Sequence, residues 1–378
     1  LKNIHNTMKP KVVVIVNDTP NYNGGAAKVA IDSAIGLAAE NINVVFFSAQ
    51  PLEGEWRYED IKLINLGQKD ILSNPNRIQA VTQGIYNKKA REEFGRLLEA
   101  LDPNTTIIHF HGWTKSLSSS VFYATYKKKF QVVITLHEYF LFCPNGGLFN
   151  YANSEICSVK PMSLKCLLTN CDSRCYQHKL WRFARKVMQD YIVRKNKDIT
   201  YISISDLNHS IARRYLPEDS RIIQLNNPIE LTLEKENIQS EHDKKHYLFV
   251  GRISPEKGIN LFCEVMEYLN LSAIVIGDGE DLTMYKQKYT HINFVGWKTK
   301  EEMLPYIRRA KALVFPSLWY EGAPLTTKEF RGIGIPLIVS DKCAAKEDVI
   351  EGVTGYLFKS GDKDSLIQKI KEFETKNW

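Results

Sequence analysis

No stretch of this 378-residue chain approaches the roughly 20 consecutive apolar residues that cross a bilayer. The longest purely apolar runs are short, as in Val12-Val13-Val14-Ile15-Val16. The N-terminal region lacks the apolar core of a secretory signal, so the sequence reads as cytoplasmic, with Met8 a candidate start. The five cysteines between Cys143 and Cys175 contain no Cys-x-x-Cys pair. The first strand is not followed by a G-x-G-x-x-G dinucleotide fingerprint. No internal repeat, low-complexity tract or stripe of alternating basic and aromatic residues is present, which removes solenoid, disordered and nucleic-acid-binding classes. What remains is an ordinary globular composition, 44% hydrophobic and 25% charged, long enough for two cores. The net charge of +7 suits an anionic partner: a nucleotide, a phosphorylated acceptor or an anionic membrane surface. Lys127-Lys128-Lys129 reads either as such a contact or as a solvated helix end.

Short β-branched runs alternate with helical patterns. Strands are expected at 11–16, 44–48, 106–111, 132–137, 199–204 and 222–225, with a helix at 26–40. A polar segment at 230–245, after Asn227-Pro228, reads as a linker. The alternation then restarts, with strands at 247–250, 273–276, 292–295, 312–315 and 336–339. Helices are expected at 259–269, 300–309, 325–332 and from 363. This predicts an α/β chain of two parallel sheets covered by helices: an N-terminal domain over 1–229 and a C-terminal domain over 246–378. Two such sheets in tandem leave a cleft, and ligands bind beyond the C-terminal ends of parallel strands.

The candidate site residues sit at those strand ends. Gly24-Gly25 opens a helix, where backbone can approach a phosphate, or forms a plain turn. Arg252 and Lys257, in Gly251-Arg252-Ile253-Ser254-Pro255-Glu256-Lys257-Gly258, offer a guanidinium fork and a point charge beside a helix start. Glu321 and Glu329, seven residues between them, flank Leu325-Thr326-Thr327, whose amides would open the next helix. Carboxylates on either side of an anion site can bind sugar and ribose hydroxyls.

Together these residues resemble glycosyltransferase family 4, the retaining GT-B family, over about residues 11–370. The Glu321…Glu329 element carries the resemblance most specifically. Gly251-Arg252 with Glu256-Lys257-Gly258, Asn227-Pro228-Ile229, Gly24-Gly25 and Gly334 to Asp341 support it. The resemblance implies two Rossmann-like domains facing across a cleft and a nucleotide-sugar donor on a uracil- or guanine-type base. It also implies a saccharide or lipid-linked acceptor, as in O-antigen or capsule synthesis at the inner membrane face. Arg252 and Lys257 would neutralise the leaving diphosphate. Glu321 would hold the transferred sugar, Glu329 the ribose, and Leu325 and Thr326 the donor phosphate. Gly24-Gly25 would face the distal phosphate, and His137 the reacting sugar. His109 and His111 would line the acceptor pocket. No catalytic metal is expected. Other GT-B enzymes (an epimerase or a phosphorylase) and a non-catalytic sugar-nucleotide scaffold are the alternatives. Two departures stand out. Gly322-Ala323-Pro324 replaces the family's Gly-Phe-Gly, and the family continues through one more helix after the point where this sequence ends.

A segment near 139–178 interrupts the first domain. Its Cys143, Cys157, Cys166 and Cys171, with Cys175 as a further candidate, leave three readings open: a structural zinc, free buried thiols or disulfides. Similar insertions occur in polysaccharide-building members of the family. The following helix, with Trp181, Arg182, Arg185 and Lys186, reads as packed or as facing a membrane.

Overall fold

A computed structural model describes residues 9–227, 244–376 and 378. Backbone contacts divide them into two compact units. The first holds the described residues up to 227 except 148–158 and 205–207, which group with the second. The linker expected over 230–245 lies outside the described residues apart from Lys244 and Lys245, as do Pro228 and Ile229.

The first unit runs β1 (Val12–Val16), α1 (Gly25–Ala39), β2 (Asn43–Ser48), β3 (Ile61–Asn65), α2 (Arg77–Ile85), α3 (Lys88–Glu99), β4 (Thr106–Phe110), α4 (Phe122–Lys128) and β5 (Gln131–Thr135). The short hairpin β6 (Phe149–Asn150) and β7 (Glu155–Ile156), which groups with the second unit, follows in the chain. Next come α5 (Leu164–Leu168), α6 (Tyr176–Val193), β8 (Ile199–Ser203), α7 (Asp206–Tyr215) and β9 (Arg221–Gln224). Seven strands form one parallel sheet in the order β3-β2-β1-β4-β5-β8-β9. Continuous β-branched runs such as Val12–Val16 are what a strand covered on both faces requires. Side chains cap the helices where the pattern breaks: Asn76 accepts from Gln79 N–H at α2, Asn87 from Ala90 N–H at α3, and Ser163 from Cys166 N–H at α5. The core beneath α3 and α4 is aromatic, with Phe110 stacked on Phe122 at 3.9 Å and edge-on to Phe94 at 6.3 Å.

The second unit runs β10 (His246–Val250), α8 (Ile259–Tyr268), β11 (Ala273–Ile276), α9 (Leu282–Lys288), β12 (Asn293–Gly296), α10 (Lys300–Arg308) and β13 (Ala310–Phe315). It continues with α11 (Leu325–Gly332), β14 (Leu337–Ser340), β15 (Gly355–Phe358) and α12 (Lys363–Glu374). Its parallel sheet has the order β12-β11-β10-β13-β14-β15. Two apolar clusters cover the two faces, one built on Tyr247, Phe262 and Phe373, the other on Leu248, Leu313 and Phe330. Thr299 and Glu302 close a reciprocal capping box on α10.

Both sheets therefore have the Rossmann-like plan. In each, the chain reverses its direction of winding at one point, between β1 and β4 in the first sheet and between β10 and β13 in the second. The loops leaving those strands diverge there and open a crevice at the C-terminal strand ends.

Candidate functional site

At the first switch point, a cavity of about 150 Å³ is lined by Asn17, Gly24, Gly25, His111, Trp113 and His137, among others. Its floor is the start of α1. Gly24 has φ +142°, a conformation open to glycine, and leads into a helix with no side-chain cap and no acidic residue in its first turn. Amides of that turn are thus left to the cavity. Asp18 fixes the wall: its carboxylate accepts from the N–H groups of Lys115, Ser116 and Leu117, each at 2.8 Å, and joins the end of β1 to the loop after β4. Burial raises the Asp18 carboxyl above its usual range, and the three amide donors oppose that rise.

The three expected histidines come together. His111 Nδ1 lies 3.0 Å from His137 Nε2. His109 Nε2 lies 2.7 Å from the Thr135 hydroxyl, with its ring 4.1 Å from that of His111. His111 and His137 line the cavity; His109 does not, and sits behind them within β4. His137 lies two residues beyond β5, not on its last residue. Burial pushes His137 down to about 4. Burial, aided by the neighbouring His137, pushes His109 down to about 3, and burial with both neighbours holds His111 well below the ordinary imidazole value. All three rings are neutral at physiological pH, so His111 and His137 share one proton between facing nitrogens. His111 Nε2 has no hydrogen-bond partner among the described residues. Arg185, which no spacing or motif placed here, supports the same wall. It donates to the Thr114 carbonyl at 3.1 Å and lies over the Phe140 ring. Burial lowers it to about 10.

At the second switch point the loops after β10, β11 and β13 meet. Gly258 has φ +73° and a Cβ there would lie 2.0 Å from the Pro316 carbonyl oxygen; a Cβ on Gly279 would lie as close to that of Ile253. These contacts bring Lys257, just before α8, against the loop that carries Glu321. Lys257 and Glu321 form an ion pair. Glu321 also accepts from the Trp319 indole at 2.7 Å and the Ser317 hydroxyl at 3.2 Å. Burial opposes ionisation of Glu321, but Lys257 and the two other donors outweigh it and hold the carboxyl below its usual range. The Lys257 ammonium lies 5.5 Å above the Trp319 ring. Arg252 is paired with the buried Glu256 at 2.5 Å, with most of its side chain in solvent. Glu329, the fifth residue of α11, is paired with Lys300 at 2.7 Å. Leu325 is the first residue of α11, a helix without a side-chain cap, and Thr326 is the second. Thr327 and Lys328 anchor the other side of the helix to Asp348.

The structure therefore places Arg252, Lys257, Glu321, Leu325, Thr326 and Glu329 after the C-terminal ends of the two central strands β10 and β13. Each expected charged residue has a partner that spacing did not reveal: Glu256, Lys300, Ser317 and Trp319. Lys300 opens α10, and only the fold places it beside α11.

Residues 232–377 match the family described as glycosyl transferases group 1. They make up nearly all of the second unit. An uncharacterized glycosyltransferase of Methanocaldococcus jannaschii is 29% identical over 36% of this chain and 40% of its own length. The UDP-Gal:alpha-D-GlcNAc-diphosphoundecaprenol alpha-1,3-galactosyltransferase of Escherichia coli is 32% identical over 33% of this chain and 35% of its own. The chain thus spans well under half the length of these curated relatives. The sucrose-phosphate synthase of Thermosynechococcus elongatus superposes over 97% of this chain and 90% of its own, with a TM-score of 0.70 at 18% identity. Across both units the fold is GT-B. Within the matched residues, the loops after β10 and β13 carry the paired Arg252, Glu256, Lys257 and Glu321.

The cysteine-rich segment centres on a buried lysine. Lys179, fully buried, places its ammonium 3.3 Å from both Cys166 Sγ and Cys171 Sγ. The Asn145 amide links Cys143 at 3.0 Å with Cys171 at 3.5 Å. Cys157 and Cys175 are half-buried. Among the described residues, all seven cysteines are free thiols and no three metal-ligating side chains converge.

Proposed function

We propose that this protein transfers a glycosyl group, with retention, from a nucleoside diphosphate sugar to a saccharide or lipid-linked saccharide during surface polysaccharide synthesis. The observation that carries the reading is the Lys257–Glu321 pair, oriented by Trp319 and Ser317 beside the uncapped start of α11. A diphosphate leaving group gains charge as the glycosidic bond breaks. Cations and amides fixed in advance stabilise that charge where it develops. Lys257 and Arg252 serve as the cations, and the first amides of α11 as the dipole. Glu321, kept ionised, accepts hydroxyls of the transferred sugar, and Glu329 those of the ribose. In the first unit, the amides of α1 and the neutral His137 face the acceptor and the reacting sugar. Among the described residues no side chain emerges as a nucleophile, so in this reading the acceptor attacks on the face from which the diphosphate departs, and the phosphate oxygen takes the acceptor proton. The named substrates of the Escherichia coli relative, a UDP sugar and a diphosphoundecaprenol-linked sugar, favour a uridine donor and a lipid-linked acceptor.

The test is a thermal-shift panel of nucleoside diphosphates and nucleotide sugars, followed by transfer assays on Lys257→Ala and Glu329→Ala. The expected result is a stabilising nucleoside diphosphate and a loss of kcat/KM of about 10²-fold or more for Lys257→Ala, the scale of one lost transition-state donor. Binding should also change Trp319 emission, because Lys257 turns from the ring to the phosphate. Unchanged turnover in both variants, or turnover that requires inorganic phosphate, would refute the reading.

A further inference from the structure

Helix α6 buries four polar side chains. Three of them meet oxygen: Arg185 donates to the Thr114 carbonyl, Lys186 pairs with Asp190, and Gln189 donates to the Phe140 carbonyl. Lys179, the fourth residue of the helix, meets sulfur instead. None of its surface is exposed, and its ammonium donates to Cys166 Sγ and to Cys171 Sγ at 3.3 Å each. A cation buried this deeply needs an anionic partner. The sulfurs supply it: no carboxylate pairs with Lys179 among the described residues, and the two cysteines hold its charge against burial.

The hydrogen bonds around the two sulfurs give them different roles. The Gly147 N–H and the Cys143 S–H both donate to Asn145 Oδ1 at 3.0 Å, which turns the Asn145 amide nitrogen toward Cys171 Sγ, 3.5 Å away. Cys171 thus accepts from Asn145 as well as from Lys179. Donors of this kind stabilise a thiolate, and the thiolate is the nucleophile. Cys166 lies across the same nitrogen, so the two sulfurs are no further apart than twice that contact. A disulfide bond is about 2 Å long, so its closure takes side-chain rotation and some opening of α5. That helix is only five residues long, and its Leu164 and Leu168 are 72% and 67% exposed, so little apolar burial resists opening.

We propose that Cys171 and Cys166 are a hydroperoxide-reactive pair that closes to a disulfide, with Lys179 as its proton carrier. The Cys171 thiolate attacks one peroxide oxygen, and the O–O bond breaks. The departing hydroxide takes a proton from the Lys179 ammonium and leaves as water, and Cys171 becomes a sulfenic acid. The neutral Lys179 amine then takes the Cys166 thiol proton. The Cys166 sulfur attacks the Cys171 sulfur, the S–O bond breaks, and the second departing hydroxide recovers that proton as water. Both sulfurs are oxidised and both peroxide oxygens are reduced. The disulfide carries no charge, so Lys179 ends as a neutral amine. The inference stands apart from the transfer reaction, since it needs neither donor nor acceptor.

The experiment treats the full chain with hydrogen peroxide, blocks the remaining thiols with iodoacetamide and maps the tryptic peptides. Trypsin cuts after Lys165 and Arg174, so the peptide 166–174 carries these two cysteines and no other. It is expected to lose two hydrogens, to escape alkylation and to be restored by dithiothreitol. Cys157 and Cys175 are more exposed than either member of the pair, yet should still be alkylated at the same peroxide dose. So should Cys263 and Cys343, whose thiols burial pushes up to about 12. Lys179→Met should slow oxidation of the pair by about tenfold or more. Cys166→Ala, which keeps the lysine, should stop at a Cys171 sulfenic acid that dimedone traps. Prior oxidation of Cys157 or Cys175, an unchanged rate in folded Lys179→Met, or no dimedone adduct on Cys171 in Cys166→Ala would overturn the proposal. So would a nitrogen–oxygen–sulfur cross-link to Lys179, or a stoichiometric metal that shields the thiols.

Discussion

Three imidazoles buried without charge make a single prediction about acid. In the unfolded chain each titrates near its ordinary value of about 6.5. In the fold His109 and His137 are held at about 3 and about 4, and His111 is also depressed. A depressed folded value means that the unfolded state takes up protons first. Stability is then complete above about pH 6.5 and is lost as pH falls toward 3, by up to about 1.4 kcal/mol per pH unit for each ring. Melting temperature measured from pH 7.5 to 5 should decline, and His109→Asn/His111→Asn should flatten the slope. An equal slope in that variant would place the acid sensitivity elsewhere. The Glu321–Lys257 pair was partly legible at this scale: the strand–loop–helix context singled out both residues. Their direct bond was not, because nothing in spacing says that two loops so far apart in sequence touch.

At the scale of elements, the parallel strands were readable almost to the residue. Strands buried on both faces must be unbroken apolar runs, as in Val12–Val16 and Ala273–Ile276. β3 and β15, an edge strand of each sheet, were missed: Ile61, Lys62 and Leu63 give only a brief alternation, and Gly355–Phe358 is four residues opening on a glycine. The segments α2, α3, α4, α7 and α9 were missed because they are short or strongly polar, and their helical state rests on capping and packing more than on pattern. α6 was legible as a helix but not in its orientation. Periodicity would turn Leu180, Val187 and Tyr191 inward, whereas the partners of Arg185, Lys186 and Gln189 hold the opposite face there. The loop entering α8 carries the prediction that belongs here. Gly258 combines a positive φ with a Cβ position 2.0 Å from the Pro316 carbonyl oxygen. Gly258→Ala must therefore shift backbone, at about 3 kcal/mol, and displace Lys257 from Glu321. Denaturant unfolding should show the loss, and nucleoside diphosphate affinity should fall with it. A variant with normal stability would mean that the loop is softer than its geometry implies.

At the scale of the whole chain, the proposed reaction divides its parts between the two units. Apart from Gly24 and Gly25, the candidate donor residues lie in the second unit, on loops after β10 and β13 and on α11. Hydrogen exchange with a nucleoside diphosphate should therefore slow amides around 251–258 and 321–329, while the β-sheet of the first unit is unaffected. Protection centred instead on the α1 start would reverse the assignment of the two sites. The repeated Rossmann-like plan was legible from the restart of the strand–helix alternation after the polar segment. The grouping of 148–158 with the second unit was not, since it depends on contacts that no local pattern encodes.

The interior of the cysteine-rich segment has a practical corollary. Lys179 is out of reach of water, and its ammonium is kept charged by the sulfurs of Cys166 and Cys171 against the pull of burial. These contacts tie α5 and the loop after it to α6. Replacing both thiols with methyls leaves a buried cation without those partners, at a cost of about 3 kcal/mol. Cys166→Ala/Cys171→Ala should melt earlier than the parent, and adding Lys179→Met should recover much of the difference. If the methionine gives nothing back, the amine and the thiols are mere neighbours. If it does, this is a protein whose shelf life in air is written in the oxidation state of two atoms beside one nitrogen.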